Sequence, residues 1–150
     1  MPKISNLPDQ DHVMRYVSWG KLRRDEDDKV LGFLPQAFQL RPDEPSLSVN
    51  WVEYFGDPDT RERDSVWALR RTRNAGTKSA FGIANVGKIK DICLSRNVRV
   101  RVVHEPRETE PAHASIRRLP VDDLILLAVL AEEAFTRLIR NADIPKQPID

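Results

Sequence analysis

The sequence predicts an α+β fold: a small mixed or mainly antiparallel sheet with a β-hairpin at 36–52, packed against a long C-terminal helix (122–140) and two shorter helices. Three observations predict it. Side chains alternate faces along a strand, and Phe38, Leu40, Leu47, Val49 and Trp51 alternate with Gln39, Arg41, Ser48 and Asn50 around a segment bracketed by Pro42 and Pro45. Residues 80–104 read as strand, helix and strand in succession, an order compatible with a right-handed parallel crossover. Finally, LILLAVLA opens a run of helical character that is apolar almost all round, as expected of a helix buried on several sides.

Taken in order, residues 1–11 are polar, with Pro2 and Pro8, and predict an irregular arm. Residues 12–19 are β-branched and aromatic and suit a first strand. The mixed charges of KLRRDEDDK suit a solvated turn or loop. In the hairpin, pairing Arg41 with Ser46 sets Leu40 opposite Leu47, Phe38 opposite Val49 and Gln39 opposite Ser48, so that both faces match in polarity. Gly56-Asp57-Pro58 then breaks the strand. Asp59 with Glu62 resembles a capping box and starts a helix from Thr60 to about Arg73, with Val66, Trp67 and Leu69 inward.

Ala80 to Ala84 reads as a buried strand, after which Asn85 can cap a helix reaching Leu94. Its apolar face holds Val86, Ile89, Ile92 and Cys93, which makes Cys93 a structural thiol. Val98 to His104 alternates again, and Ala112 to Arg117 is a short extended piece inside a loop. Asp122 is placed to cap the last helix, with Val121 stapling onto Leu126, and the helix runs through Arg140. Residues 142–150 predict a second irregular arm.

Composition sets the functional bounds. The 150 residues suit a single domain over 1–150, and a net charge of +1 offers no global field for nucleic acid or an anionic membrane. One cysteine excludes an internal disulfide and supplies no zinc cluster. The N-terminal stretch lacks an apolar signal core, and the longest apolar run, Leu124 to Ala131, is too short to span a bilayer. These features predict a cytoplasmic protein with no metal, no cofactor and no membrane partner. The marked phosphate-loop, dinucleotide, zinc-protease and serine-hydrolase motifs are absent.

Three groups of residues remain as candidates. Gln39, Arg41, Ser48 and Asn50 form a polar strand face that either meets water or binds a ligand. His104 and His113 could act as acid and base, with Arg41, Ser48 and Asn50 holding an anion, which is the equipment of a metal-free enzyme cleaving a phosphodiester or transferring a nucleotide-sugar group. Arg61, Arg63, Arg70, Arg71, Arg73 and Lys78, against Glu62 and Asp64, make the most basic stretch and could neutralise phosphates of a nucleic acid.

The ordered phrases AFQLRP, LSVNW and EPAHASI, followed by a terminal apolar helix, resemble a group of small bacterial proteins to which no function is attached. The likeness spans roughly 35–120. It implies that the hairpin and the His113 loop belong to one folding unit and share one site. The leading expectation is a binding or accessory protein acting with a protein partner. The small enzyme acting on a nucleotide or RNA and the nucleic-acid binder are the alternatives.

Overall fold

The structure, a computed structural model, describes residues 4–149. Among the described residues there are nine strands: β1 (Ser5–Asn6), β2 (His12–Val17), β3 (Leu22–Arg24), β4 (Val30–Phe33), β5 (Ser46–Trp51), β6 (Ala80–Asn85), β7 (Arg101–His104), β8 (His113–Arg117) and β9 (Arg137–Arg140). The helices are α1 (Arg61–Thr72), α2 (Val86–Leu94) and α3 (Leu124–Val129). Seven strands form one sheet in the order β1-β7-β8-β5-β2-β6-β9, and β3-β4 form a separate ribbon. Every paired neighbour is antiparallel. The fold is α+β, as the sequence predicts. Among the described residues, no helix is long and apolar enough to cross a membrane.

Alternation in each strand sorts side chains onto two unequal faces. On one face Val13, Val17, Leu47, Val49, Ala84, Val102, Ala114 and Ile116 pack with Ile89 and Cys93 of α2 and Leu126 and Leu127 of α3 in the main core. On the other, α1 covers Met14, Phe81 and Ile83 with Val66 and Leu69, closing a smaller core. That second face is apolar only beneath α1. Across β5 and β8 it continues as Ser48, Asn50, His113 and Ser115, because Met14 pairs with Asn50, Asn50 with His113, and Ser48 with Ser115.

The hairpin predicted at 36–52 does not form. Pro35 begins a 3-10 turn over Pro35–Phe38, where its fixed φ and missing N–H are tolerated at the first helical position. The parity of Leu47, Val49 and Trp51 is nevertheless right for β5. Its polarity-matched partner is β8, whose HASI alternates in the same way: Leu47 faces Ile116 and Val49 faces Ala114. Phe38 and Leu40 are still buried, but in the main core as a turn capping α3 rather than as a strand. The hairpin of this region is instead β3-β4: the expected loop KLRRDEDDK supplies strand β3, with Leu22 buried, and only Asp25 to Lys29 form the tip, where Asp25 Oδ1 accepts from the amides of Asp27 and Lys29.

The long C-terminal helix is also corrected. Asp123, not Asp122, caps it by accepting from the Leu126 amide, and α3 passes into a π-turn over Leu130–Ala134 that ends where the Phe135 N–H donates to the Leu130 carbonyl. The helical elements therefore span residues 124–134, and 137–140 are strand β9 on β6. A helix would put Phe135 and Leu138 on one face. The strand sends Leu138 to the main core and Ile139 to the core under α1, so both cores gain a residue. Phe135 stacks on Phe38 with ring centroids 4.2 Å apart, and the space is made by Gly82, where an added Cβ would lie 2.7 Å from the Phe33 ring.

The remaining elements follow the sequence closely. Asn85 caps α2 by accepting from the Lys88 amide, and α1 matches its expected span. β6 and β7 run in the same direction but are not neighbours, since β2, β5 and β8 lie between them; the crossover through α2 spans half the sheet. Of the two predicted arms, the described residues 4–11 and 142–149 are tied down, while 1–3 and 150 lie outside the described residues. β1 pairs with β7 and Leu7 is buried, while Arg70 donates to the carbonyls of Asn141, Ile144 and Pro145.

Candidate functional site

The β2-β5 ladder stops at Met14 and Asn50. Beyond that pair the two strands part, and Arg15 fills the gap between them. Its Nε donates to the Ala37 carbonyl at 2.7 Å and its Nη1 to the Ser48 carbonyl at 2.8 Å, so one side chain satisfies a main-chain acceptor of the 3-10 turn and one of β5 beyond the end of the ladder. Burial pushes the Arg15 pKa down to about 10, an effect the charge of Glu44 opposes and those of Arg73 and Arg41 reinforce. Among the described residues no carboxylate comes within 4 Å of this guanidinium.

Arg15 lies in the wall of a cavity of about 400 Å³, between the end of β2, the turn at Ala37 and the C-terminus of α1. Lys21, Arg41 and Arg73 share it, so four cations face a single carboxylate, Glu44; Tyr16, Ser18, Ser48 and Asn74 add polar groups. Arg73 is engaged by Glu110 at 2.7 Å and Arg41 loosely by Glu44 at 3.5 Å. Lys21, like Arg15, has no ion-pair partner among the described residues.

Ser48 connects this cavity to His113. The His113 Nδ1 is 2.8 Å from the Glu105 carbonyl, an acceptor only, so in the neutral ring Nδ1 carries the proton. Nε2 then accepts from the Ser48 hydroxyl at 3.1 Å. Burial holds the His113 pKa below the usual histidine value, although the bond to Glu105 opposes it. Glu105 in turn accepts from Ser115 and Arg117. Burial alone would raise the Glu105 carboxyl, but those bonds and the Arg117 charge hold it below the ordinary carboxylate value.

The sequence-derived candidates divide as follows. Ser48 and His113 meet, and Arg41 and Ser48 share the cavity. Asn50 is buried beside His113, its Oδ1 without a hydrogen-bond partner among the described residues, and does not line the cavity. Gln39 points elsewhere, donating to the Val121 carbonyl at 3.2 Å. His104 does not join His113. It pairs with Ala114, whose side chain is in the main core, so the two histidines are on opposite faces of the sheet. The His104 ring lies 5.0 Å from Trp51, and its Nε2 bonds to the Pro111 carbonyl. The expected acid-base pair of His104 and His113 is therefore not assembled.

The basic stretch is dispersed in the same manner. Arg61 faces Glu53, Arg63 lies over Trp67 at 4.3 Å and beside Asp64, and Lys78 lies near Trp19. Arg70 and Arg71 hold the C-terminal segment, Arg71 through Gln147. Only Arg73 of the six reaches the cavity beside Arg15. Sequence reasoning missed Arg15 because strand parity assigns it to the core face with Val13 and Val17, where an arginine has no evident use. The signal was a lone cation between buried apolar positions.

Compared with known proteins, the chain matches no family model, no curated protein and no solved structure.

Proposed function

We propose that this protein binds a small ligand through a phosphoryl group in the cavity walled by Arg15, Lys21, Arg41 and Arg73. The observation that carries the reading is Arg15: a half-buried guanidinium held by two carbonyl dipoles, with no carboxylate within 4 Å among the described residues. Burying an unmatched charge is costly, and a bound anion would offset that cost. The planar fork of an arginine suits tetrahedral oxyanions, and the Tyr16 hydroxyl, which also lines the cavity, supplies a further hydrogen bond.

Titration of inorganic phosphate and pyrophosphate, followed by thermal shift and calorimetry, tests this. Pyrophosphate should stabilise the protein at micromolar to millimolar concentration, with an affinity that falls as salt is raised. Lys21→Gln, at an exposed position, should weaken binding by about tenfold while leaving the unliganded melting temperature unchanged. A melting temperature indifferent to both anions refutes the proposal.

A second reading, an accessory protein docking on a protein partner, is favoured by the exposed apolar side chains Leu94, Val121, Leu124 and Ile125. Arg96 and Asp123, 4.0 Å apart, bring the end of α2 to the start of α3, where these residues lie. Leu126 and Leu130 are fully buried and serve the core, so a docking face consists of the outward residues, with Ile125 at 66% exposure its most prominent. Ile125→Asp should abolish co-purification of a partner from native cells without lowering stability; an unchanged set of co-purifying proteins counts against this face.

A further inference from the structure

The opposite end of α1 holds a second cavity, of about 500 Å³, that shares no residue with the Arg15 site. At its wall, the Glu53 carboxylate clamps His12 twice, accepting from the main-chain N–H and from Nδ1, each at 2.7 Å, and Arg61 approaches it at 3.5 Å. This fixes both the tautomer and the orientation of the imidazole. Its Nε2 makes no hydrogen bond among the described residues and is left with a free lone pair.

The floor is apolar and buried, made by Val52, Ile83 and Ala134. Around the rim Arg137 and Glu62 neutralise one another in a forked pair at 2.6 to 2.9 Å. Lys88 and Glu133 also line the cavity but form no ion pair, with each other or with any described residue. The cavity thus presents one free cation, one free anion, an oriented acceptor and an apolar floor.

We propose that this cavity binds a free α-amino acid with an apolar side chain. The ligand carboxylate is held by Lys88, the ammonium by Glu133 and the His12 Nε2, and the side chain by Val52, Ile83 and Ala134. The volume falls in the range typical of small-molecule sites. A free amino acid carries both of the opposite charges that Lys88 and Glu133 would engage; a peptide N-terminus lacks the carboxylate and a peptide C-terminus lacks the ammonium.

Calorimetric titration of the full chain with L-phenylalanine, L-phenylalaninamide and N-acetyl-L-phenylalanine decides the matter. The free amino acid should bind, and each derivative should bind about tenfold more weakly or worse, the loss of one charge-assisted contact. Lys88→Met should weaken phenylalanine but not phenylalaninamide. Absence of heat with phenylalanine at millimolar concentration overturns the proposal. Equal affinity for the amide overturns it in favour of a peptide N-terminus, and equal affinity for the N-acetyl derivative in favour of a C-terminus. Because none of these arms involves the phosphate cavity, Lys21→Gln should leave phenylalanine binding unaltered, and failure at one site leaves the other standing.

Discussion

Replacing Phe38 by Ala should lower the free energy of unfolding by about 3–5 kcal/mol, the range found when a fully buried aromatic is truncated and its neighbours cannot collapse into the space. Phe38 is 0% exposed and lies where three parts of the chain meet: edge-on to Phe33 of β4 at 5.8 Å, stacked on Phe135 after α3, and held by the 3-10 turn that Pro35 initiates. The rings around it are large and the backbone below is Gly82, so no side chain is positioned to refill the hole. A loss of that size is a substantial part of the about 5–15 kcal/mol that stabilises a typical domain. Urea unfolding measures it directly. Leu31→Ala, at a residue 48% exposed on the same ribbon, serves as control and should change stability by less than about 0.5 kcal/mol. Equal losses in the two variants would show that the Phe38 cluster does not organise the core.

Stability should also fall on acidification in two stages. His113 is held neutral in the fold, its pKa below the value of 6.5 ordinary for histidine, chiefly by burial. The unfolded chain therefore takes up this proton more readily, and stability declines as pH drops below about 6.5. Glu105 and Glu110 act later and in the same direction. Burial would raise both carboxyls, but hydrogen bonds from Arg117 and Ser115 to the first, and from Arg73 and Thr72 to the second, hold them below their usual 4.5. Their contribution is present above that pH and is lost as pH falls through the depressed values. In a series of urea midpoints against pH, His113→Gln should flatten the segment between pH 6.5 and 4.5 and leave the lower segment in place. An unaltered upper slope in the variant would mean that the proton is taken up elsewhere.

Local signals in the chain are legible where a single element accounts for them, two caps excepted: Thr60 precedes α1 with no side-chain cap, so the Asp59–Glu62 capping box does not form, and Asp123 rather than Asp122 caps α3. The cap at Asn85, the apolar stripe of α2 and the parity of β5 all depend on residues close in sequence, and each forms as read. Pairing partners were another matter. Leu47 and Val49 alternate equally well against Phe38 and Leu40 or against Ile116 and Ala114; only the long-range choice of β8 decides between them. At the C-terminus, helical spacing in Phe135 and Leu138 competed with a strand that feeds two cores at once, and a sequence pattern cannot count cores. The site shows the same division. Ser48 and His113 were candidates and do meet, through the β5-β8 register. Arg15 reaches the cavity only because β2 and β5 separate after Met14, a feature no residue of β2 announces.

The two ends of the sheet order deserve one more reading, as exposed borders rather than as connections. The outermost strands are β1, two residues long, and β9, four residues long with an arginine at either end. A border that short, or that charged, is a poor template for a strand from another molecule. The interior strands they cover include AFGIAN of β6, apolar from Ala80 to Ala84 and without a single charge. β9 thus covers the outer edge of β6 with a short, charged border while feeding Leu138 and Ile139 to the two cores, and β1 covers the edge of β7, so that neither β6 nor β7 is left open to pairing with another molecule.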